Sequence, residues 1–289
     1  MTATATLPYF DRLLERLAEG DQRFTTAFGR HVHWGYWPDP QLADGTPEDF
    51  ARAAEDLCQR LCDLGEVGDG LSILDAGCGF GGTLASLNER FSGLDLIGLN
   101  LDGRQLARAA ERIHPIANNR LAWLEADACS IPLDRASRDV VMAVECIFHF
   151  PSRERFFQEC ARVLLPGGRL VLSDFVPTPA LLAWQRWGAS GGSSIPSAMA
   201  ATYGTIDTSF GVRDYQRLAR RHGLELQRDQ DITRQTLPTY PVVEGLFASI
   251  DDWDAVRATR TIAWLSRLGL LRYRLMVFRV SAGNGEIKI

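Results

Sequence analysis

Two clusters of residues in this sequence are equipped for chemistry. The first is Leu74-Asp75-Ala76-Gly77-Cys78-Gly79-Phe80-Gly81-Gly82, where a carboxylate stands two residues ahead of a run of glycines. Glycine lets a backbone turn sharply and approach a ligand closely. Gly77, Gly79 and Gly82 satisfy the GxGxxG spacing of dinucleotide loops, while Asp75, Gly77, Gly79 and Gly81 satisfy a DxGxGxG spacing. A carboxylate at position 75 would repel a pyrophosphate and attract an ammonium group, which disfavours the first pattern. A nicotinamide site also needs an acid after its second strand; here that residue is Asn100, which can still hydrogen-bond a diol. Asp127, in Leu124-Glu125-Ala126-Asp127-Ala128, can accept a hydrogen bond from an adenine amino group. The plainer alternative for Asp75 is that it caps the following helix.

The second cluster is His149 with Asp174. A neutral imidazole, with an unperturbed pKa of about 6.5, suits proton removal from a hydroxyl near neutral pH, and a carboxylate behind it can orient the ring. Against this stands a purely structural reading, in which the ring in Phe148-His149-Phe150 packs at a strand end and Asp174 satisfies loop amides.

Such residues need a scaffold. From Leu71 onward short apolar runs alternate with longer amphipathic ones, the pattern of βαβ units. The spacing predicts strands at 71–76, 95–101, 120–126, 139–146, 169–176, 224–233 and 272–280, with helices at 82–91, 103–113, 152–164 and 212–222. The fold class is α/β: a seven-stranded, mostly parallel sheet with helices on both faces. Residues 1–66 read as a helical lid segment around an aromatic turn, HVHWGYW at 31–37. The rest, 67–289, reads as one ligand-binding domain with a cap inserted at about 177–211. That insertion holds the small-residue stretch GASGGSSIPSAMAATYG beside Trp184 and Trp187, and it serves either as a mobile lid or as a surface loop.

Composition narrows the function. The 289 residues are long enough for a sizeable core, and a net charge of −5 without a Lys/Arg run argues against nucleic acid as partner. No apolar run reaches the ~18 residues of a membrane span, and the N-terminal residues lack the pattern of a secretion signal, so a cytoplasmic location is expected. The six cysteines show no CxxC pairing; Cys58 and Cys62, four apart, lack a completing His or Cys, so no metal site is expected and buried thiols are the better reading.

The glycine loop at 75–81, the strand end at 98–105, the Asp-Ala-x-x-x-Pro segment at 127–132 and the Pro-Gly-Gly turn at 166–168 follow one another in an order that resembles the class I S-adenosylmethionine-dependent methyltransferases. The resemblance covers roughly 30–280 and implies a Rossmann-like sheet, with S-adenosylmethionine as cofactor. It implies that Gly77 and Gly79 hold the methionine part, that Asn100 and Gln105 lie near the ribose, and that Asp127 and the Ala128 amide bind adenine. Cys78, Leu101, Glu145 and His33 complete the implied donor-binding set. Tyr36, whose hydroxyl can reach the donor carboxylate while its ring covers the site, joins them, although His33, Trp34, Tyr36 and Trp37 also suit a simple aromatic core.

Within that family the segments at 31–37, 98–105 and 145–150 resemble a small-molecule subgroup that includes tocopherol and sterol C-methyltransferases and the rebeccamycin sugar O-methyltransferase. Cys146 stands where that subgroup usually has Ser. In the family's fold the fourth and fifth strands are neighbours, which would place His149 and Asp174 on one rim. The expected function is O-methylation of a small apolar or aromatic natural product by a His149–Asp174 base, and a homo-oligomer is compatible with it. The alternatives are C-methylation of an aromatic or prenyl acceptor, a protein that binds S-adenosylmethionine without turnover, and, more distantly, a nicotinamide oxidoreductase.

Overall fold

The computed structural model describes residues 7–189 and 197–281. In chain order its elements are α1 (Pro8–Ala18), α2 (Gln22–Phe28), α3 (Pro47–Leu64), β1 (Ser72–Ala76), α4 (Gly82–Arg90), β2 (Asp95–Asn100), α5 (Gly103–Arg112), β3 (Arg120–Glu125), β4 (Arg138–Val144), α6 (Arg153–Val163), β5 (Leu164–Pro177), α7 (Pro179–Ala189), α8 (Ser197–Tyr203), α9 (Val212–Arg221), β6 (Leu224–Asp231), α10 (Thr233–Thr236), α11 (Thr239–Ala248), α12 (Trp253–Arg267) and β7 (Leu271–Val280). The strands form one seven-stranded sheet in the order β3-β2-β1-β4-β5-β7-β6, and the β1–β2, β1–β4, β2–β3 and β4–β5 pairings are parallel. The expected α/β class and each expected strand are therefore present. Strand order reverses between β1 and β4, and in open parallel sheets the carboxyl ends at such a switch point form the ligand crevice.

The chain divides into two compact units. The first comprises Met1–Leu57, Phe175–Gly211 and Asp231–Arg274; the second comprises Cys58–Asp174, Val212–Gln230 and Leu275–Ile289.

In the second unit Ile73, Leu74, Leu96, Val140, Val141, Leu170 and Val171 are buried in the centre of the sheet. Parallel strands are covered on both faces, so they read as continuous apolar runs. Polar residues at the amino ends fix the register. The Asp139 carboxylate accepts from both the amide (2.8 Å) and the hydroxyl (2.6 Å) of Ser72, and Arg138 reaches Asp95 at 2.9 Å. Gly98 of β2 leaves room for a neighbour on β3, since a Cβ there would stand 2.5 Å from the Trp123 ring. β5 starts earlier than the apolar run at 169–176 predicts. Leu164 already pairs with Arg138, and a register shift between Arg138 and Val140 accommodates Pro166-Gly167-Gly168 with Gly167 at φ 78°. The expected tight turn is thus a bulge inside the strand.

The first unit carries the aromatic turn. Trp34 and Trp37 are buried; the Trp37 indole donates to Asp49 at 2.9 Å, and the Gly35 amide donates to the Thr239 hydroxyl at 3.0 Å. Of the small-residue stretch expected to act as a lid or a loop, 190–196 lie outside the described residues, and its flanks form α7 and α8. Helices α10, α11 and α12 were not expected between β6 and β7. α11 buries Tyr240, Val242, Val243, Leu246 and Phe247 and contains Pro241 and Gly245, so no apolar stripe marks it as a helix. α12 does carry a readable start, Asp252 accepting from the Ala255 amide at 3.0 Å. Among the described residues no helix is long and apolar enough to cross a membrane.

The Gly98–Trp123 contact makes a packing prediction. Gly98→Ala should destabilise the protein by about 1–3 kcal/mol, the usual scale of overpacking, when followed by urea denaturation. In a Trp123→Leu background the same change should cost clearly less. Equal costs in both backgrounds would show that the ring is not the obstacle.

Candidate active site

β1 delivers Asp75 to its carboxyl end, and the chain then turns through Gly77 (φ 78°) and Gly79 (φ 55°) into α4. A Cβ on Gly77 would stand 2.9 Å from both Cβ and Sγ of Cys146, so the close approach requires glycine. The Gly77 and Cys78 amides both donate to the Leu99 carbonyl, at 2.8 and 3.1 Å, which ties the loop to β2. Asp75 does not cap α4, whose N-cap is Gly81 with no side-chain hydrogen bond. It is 1% exposed instead. Burial pushes its carboxyl up to about 7, against a smaller downward pull from the hydrogen bond with Thr83. Its Oδ2 is buried with no hydrogen-bond partner among the described residues. A buried carboxyl oxygen left in this state fits an ammonium-bearing ligand and not a pyrophosphate. The methionine end of S-adenosylmethionine meets that test.

The next two strand ends extend the rim. Asn100 ends β2, pairs in register with Glu125, and donates from Nδ2 to Gln105 Oε1 at 2.9 Å. Leu101 is exposed beside it, and Asp102 caps α5 by accepting from the Arg104 amide at 3.0 Å. After β3, Asp127 Oδ1 accepts from the Cys129 amide at 2.8 Å, and Ala128 is buried. The three expected groups, Asp75 with its glycines, Asn100 with Gln105, and Asp127 with Ala128, therefore follow β1, β2 and β3, which are adjacent and parallel.

On the other side of β1, β4 ends at Val144, opposite Ser173 of β5. Glu145 then adopts φ 51°, a left-handed conformation that costs a non-glycine residue of order 1 kcal/mol or more. Its amide donates to the Ser173 carbonyl (3.2 Å) and hydroxyl (3.0 Å). The Cys146 thiol donates to the Ala76 carbonyl at 3.1 Å, so the Cys in place of Ser still links β4 to β1. Burial, with Asp75 and Asp174 nearby, raises that thiol well above its ordinary range, and burial likewise raises Cys78. A single 3-10 turn, Ile147–His149, carries His149, its amide donating to the Cys146 carbonyl at 2.9 Å.

Asp174 lies one residue beyond Ser173 and is fully buried. Its Oδ2 accepts from the Tyr215 hydroxyl and stands 3.4 Å from Arg153 Nη2, while Arg153 Nε donates to the Tyr215 oxygen at 3.0 Å. Arg153 and Tyr215 were not anticipated from the sequence. Arg153 opens α6 and Tyr215 sits in α9, 62 residues away, and nothing local marks the pair. Thr83, the partner of Asp75, was also missed, although its place in the first turn after the loop is a usable signal.

The two remaining expected residues belong to the first unit. His33 is buried, and burial together with His31 pushes its imidazole down to about 3. The neutral ring donates from Nδ1 to the Trp34 carbonyl at 3.0 Å, with Nε2 3.1 Å from His31 Nδ1. Tyr36 is half-buried, its amide donating to the Ala53 carbonyl at 2.8 Å. All six cysteines are free, and among the described residues no group of three or more His, Cys, Asp or Glu is placed to hold a metal ion.

Comparison with known proteins identifies the family. Residues 74–172 match the family model described as a methyltransferase domain. The chain is 32% identical over 233 residues to the methyltransferase GfsG of Streptomyces halstedii, covering 79% of this chain and 78% of that one. It is 32% identical over 219 residues to the 27-O-demethylrifamycin SV methyltransferase of Amycolatopsis mediterranei (strain S699), covering 74% and 73%. Among solved structures, geranyl diphosphate C-methyltransferase from Streptomyces coelicolor A3(2), in complex with Mg2+, geranyl diphosphate and S-adenosyl-L-homocysteine, shares the fold with a TM-score of 0.67 at 20% identity, covering 94% of this chain and 98% of that one. The chain belongs to the class I S-adenosylmethionine-dependent methyltransferases. Within that class it is one of the enzymes acting on small molecules, with S-adenosylmethionine as its cofactor.

The state of Asp75 sets a pH signature. In the free protein the carboxyl is protonated below about 7, whereas holding an ammonium requires the carboxylate. Donor affinity measured by calorimetry should therefore rise as pH increases from 5.5 to about 7, and proton release should accompany binding. Asp75→Asn should abolish the slope and weaken binding at pH 7.5 by roughly 1.5–3 kcal/mol. Because the folded value lies above the ordinary 3.8, the Asp75 contribution to stability of the ligand-free protein is full below pH 4 and lost as pH rises towards 7. That slope too should vanish in Asp75→Asn. A pH-independent donor affinity in the unaltered protein would remove this account of the site.

Proposed function

We propose that this methyltransferase transfers the methyl group to a hydroxyl of an apolar or aromatic natural product, with His149 as the base and Asp174 behind it. The observation that carries the reading is the Val144–Ser173 pair, the last of the β4–β5 register, after which β4 gives way to the turn that carries His149 while β5 continues through Asp174. One relative supports transfer to oxygen, the rifamycin enzyme, whose name denotes an O-demethylated acceptor; GfsG, similar over most of both chains, supports methyl transfer alone.

Bound S-adenosylmethionine supplies a methyl group already activated on a sulfonium, so the chain's own residues have to align and deprotonate. Asp75 takes the ammonium; Gly77, Cys78 and Gly79 bring the backbone close to the methionine part. Asn100, Leu101 and Gln105 border the ribose, Asp127 and the Ala128 amide take adenine, and Glu145 closes the end of β4. His149 accepts the proton from the acceptor oxygen as that oxygen becomes nucleophilic, and the Asp174 charge favours the imidazolium that results. The proton then passes to solvent.

Labelled donor offered to extract fractions, followed by mild demethylation of the product, identifies the acceptor and separates O-methyl from C-methyl chemistry. With that acceptor, His149→Ala should lower kcat by about 10²–10⁴ and leave donor affinity unchanged, and the acidic limb of the pH profile should disappear. Near-normal turnover of His149→Ala at every pH, or a methyl group that resists demethylation, would favour C-methylation over the base mechanism.

A further inference from the structure

A fully buried carboxylate is an expensive object, and Asp174 sits at 0% exposure within β5, one residue past its last pairing with β4. Removing a carboxylate from water without a counter-charge drives it to take up a proton. Here the counter-charge is present and equally buried, since the Arg153 side chain is 1% exposed. Three contacts join them. Arg153 Nη2 approaches Asp174 Oδ2 at 3.4 Å, Arg153 Nε donates to the Tyr215 oxygen at 3.0 Å, and the Tyr215 hydroxyl donates to the same Asp174 oxygen. The tyrosine is therefore a bridge, accepting from the guanidinium and donating to the carboxylate. Burial and the Asp174 charge raise the Tyr215 hydroxyl well above its ordinary range, so it remains a proton donor throughout the working pH range. Other titratable groups near this carboxylate are the Cys146 thiol and, through it, Glu145 and Asp75. These groups are acids, and in the described contacts Arg153 supplies the positive charge.

The geometry points to Arg153 as a positioning residue. It acts through Asp174, partly by way of the Tyr215 hydroxyl, to keep that side chain an oriented carboxylate at neutral pH and so to set the basicity of His149. All four residues lie in the second unit, three of them delivered by β5, α6 and α9 and the fourth by the turn after β4. The inference rests on the His149–Asp174 reading above and adds to it the group that makes the carboxylate available.

The test is a histidine titration by NMR on the full-length protein, with the His149 signal assigned among the five histidines by its loss in His149→Gln. Asp174→Asn should lower the His149 midpoint by removing a neighbouring anion. If it leaves the midpoint unmoved, the His149–Asp174 pairing itself fails. Given that shift, Arg153→Gln is decisive because the sign of its effect separates two cases. If Arg153 keeps Asp174 ionised, its loss lets Asp174 take a proton, and the midpoint should fall to that of Asp174→Asn. If Asp174 stays charged without it, loss of a nearby cation raises the midpoint or leaves it in place, and the proposal is overturned. Arg153→Lys, which keeps the charge, should restore the midpoint most of the way. Should Arg153→Gln fail to fold, the double variant Arg153→Gln/Asp174→Asn decides. Recovery of folding shows that Arg153 serves to compensate Asp174, whereas continued failure shows that it serves the fold independently, which also overturns the proposal.

Discussion

The cost of dehydrating a carboxylate governs the donor side of this enzyme. Asp75 ends a strand at the centre of the sheet, with apolar neighbours in β1 and β4 and the thiols of Cys78 and Cys146 close by. Water cannot satisfy it there, and Thr83 supplies one hydrogen bond where an ionised carboxylate calls for several. On the proposed reading, the ammonium of the donor completes the site. The loop between β1 and α4 is shaped by close packing as well, since a Cβ on Gly77 would meet Cys146, one on Gly81 would meet Ile113 and Trp123, and the Gly77 and Cys78 amides tie the loop back to Leu99.

The sheet divides its labour along the strands. At the amino ends side chains grip side chains: Asp139 holds Ser72, and Arg138 holds Asp95. At the carboxyl ends each link between strands has a backbone group on one side, with the Glu145 amide on Ser173 and the Cys146 thiol on the Ala76 carbonyl. Side chains at that end are held locally, Asp75 by Thr83, Asn100 by Gln105 and Asp127 by the Cys129 amide, whereas Asp174 is held by side chains from two other elements, Arg153 of α6 and Tyr215 of α9.

How much of this was legible in the sequence follows from the range of the forces involved. Strands buried on both faces leave an apolar run, which marks β1, β2, β4 and β5, while the partly exposed β3 and β6 are legible from alternation and from their place between helices; all seven strands and four of the helices between them could be read locally. α11 could not, because a helix that is apolar nearly all round carries no 3.6-residue stripe and its Pro241 and Gly245 read as breakers. Pro166-Gly167-Gly168 looked like a turn ahead of β5 because the pairing of Leu164 with Arg138 is a property of two strands and not of one. In the site, Asp75 was legible from its charge at a fixed offset from glycines. Its capping alternative was removed only by the observed N-cap at Gly81. The Arg153–Tyr215–Asp174 cluster was illegible because its members come from three elements, and no spacing rule links them.

The left-handed backbone at Glu145 has a consequence for how this enzyme would drift under selection. Glycine occupies that conformation at little cost, so a library sorted for thermal tolerance alone should enrich Glu145→Gly. The backbone links to Ser173 would survive such a change, and the carboxyl group at the end of β4 would not. If the carboxyl group serves the donor site as proposed, the strained glutamate is a position where utility and robustness pull in opposite directions. A lineage that kept only the fold would be expected to lose this side chain early.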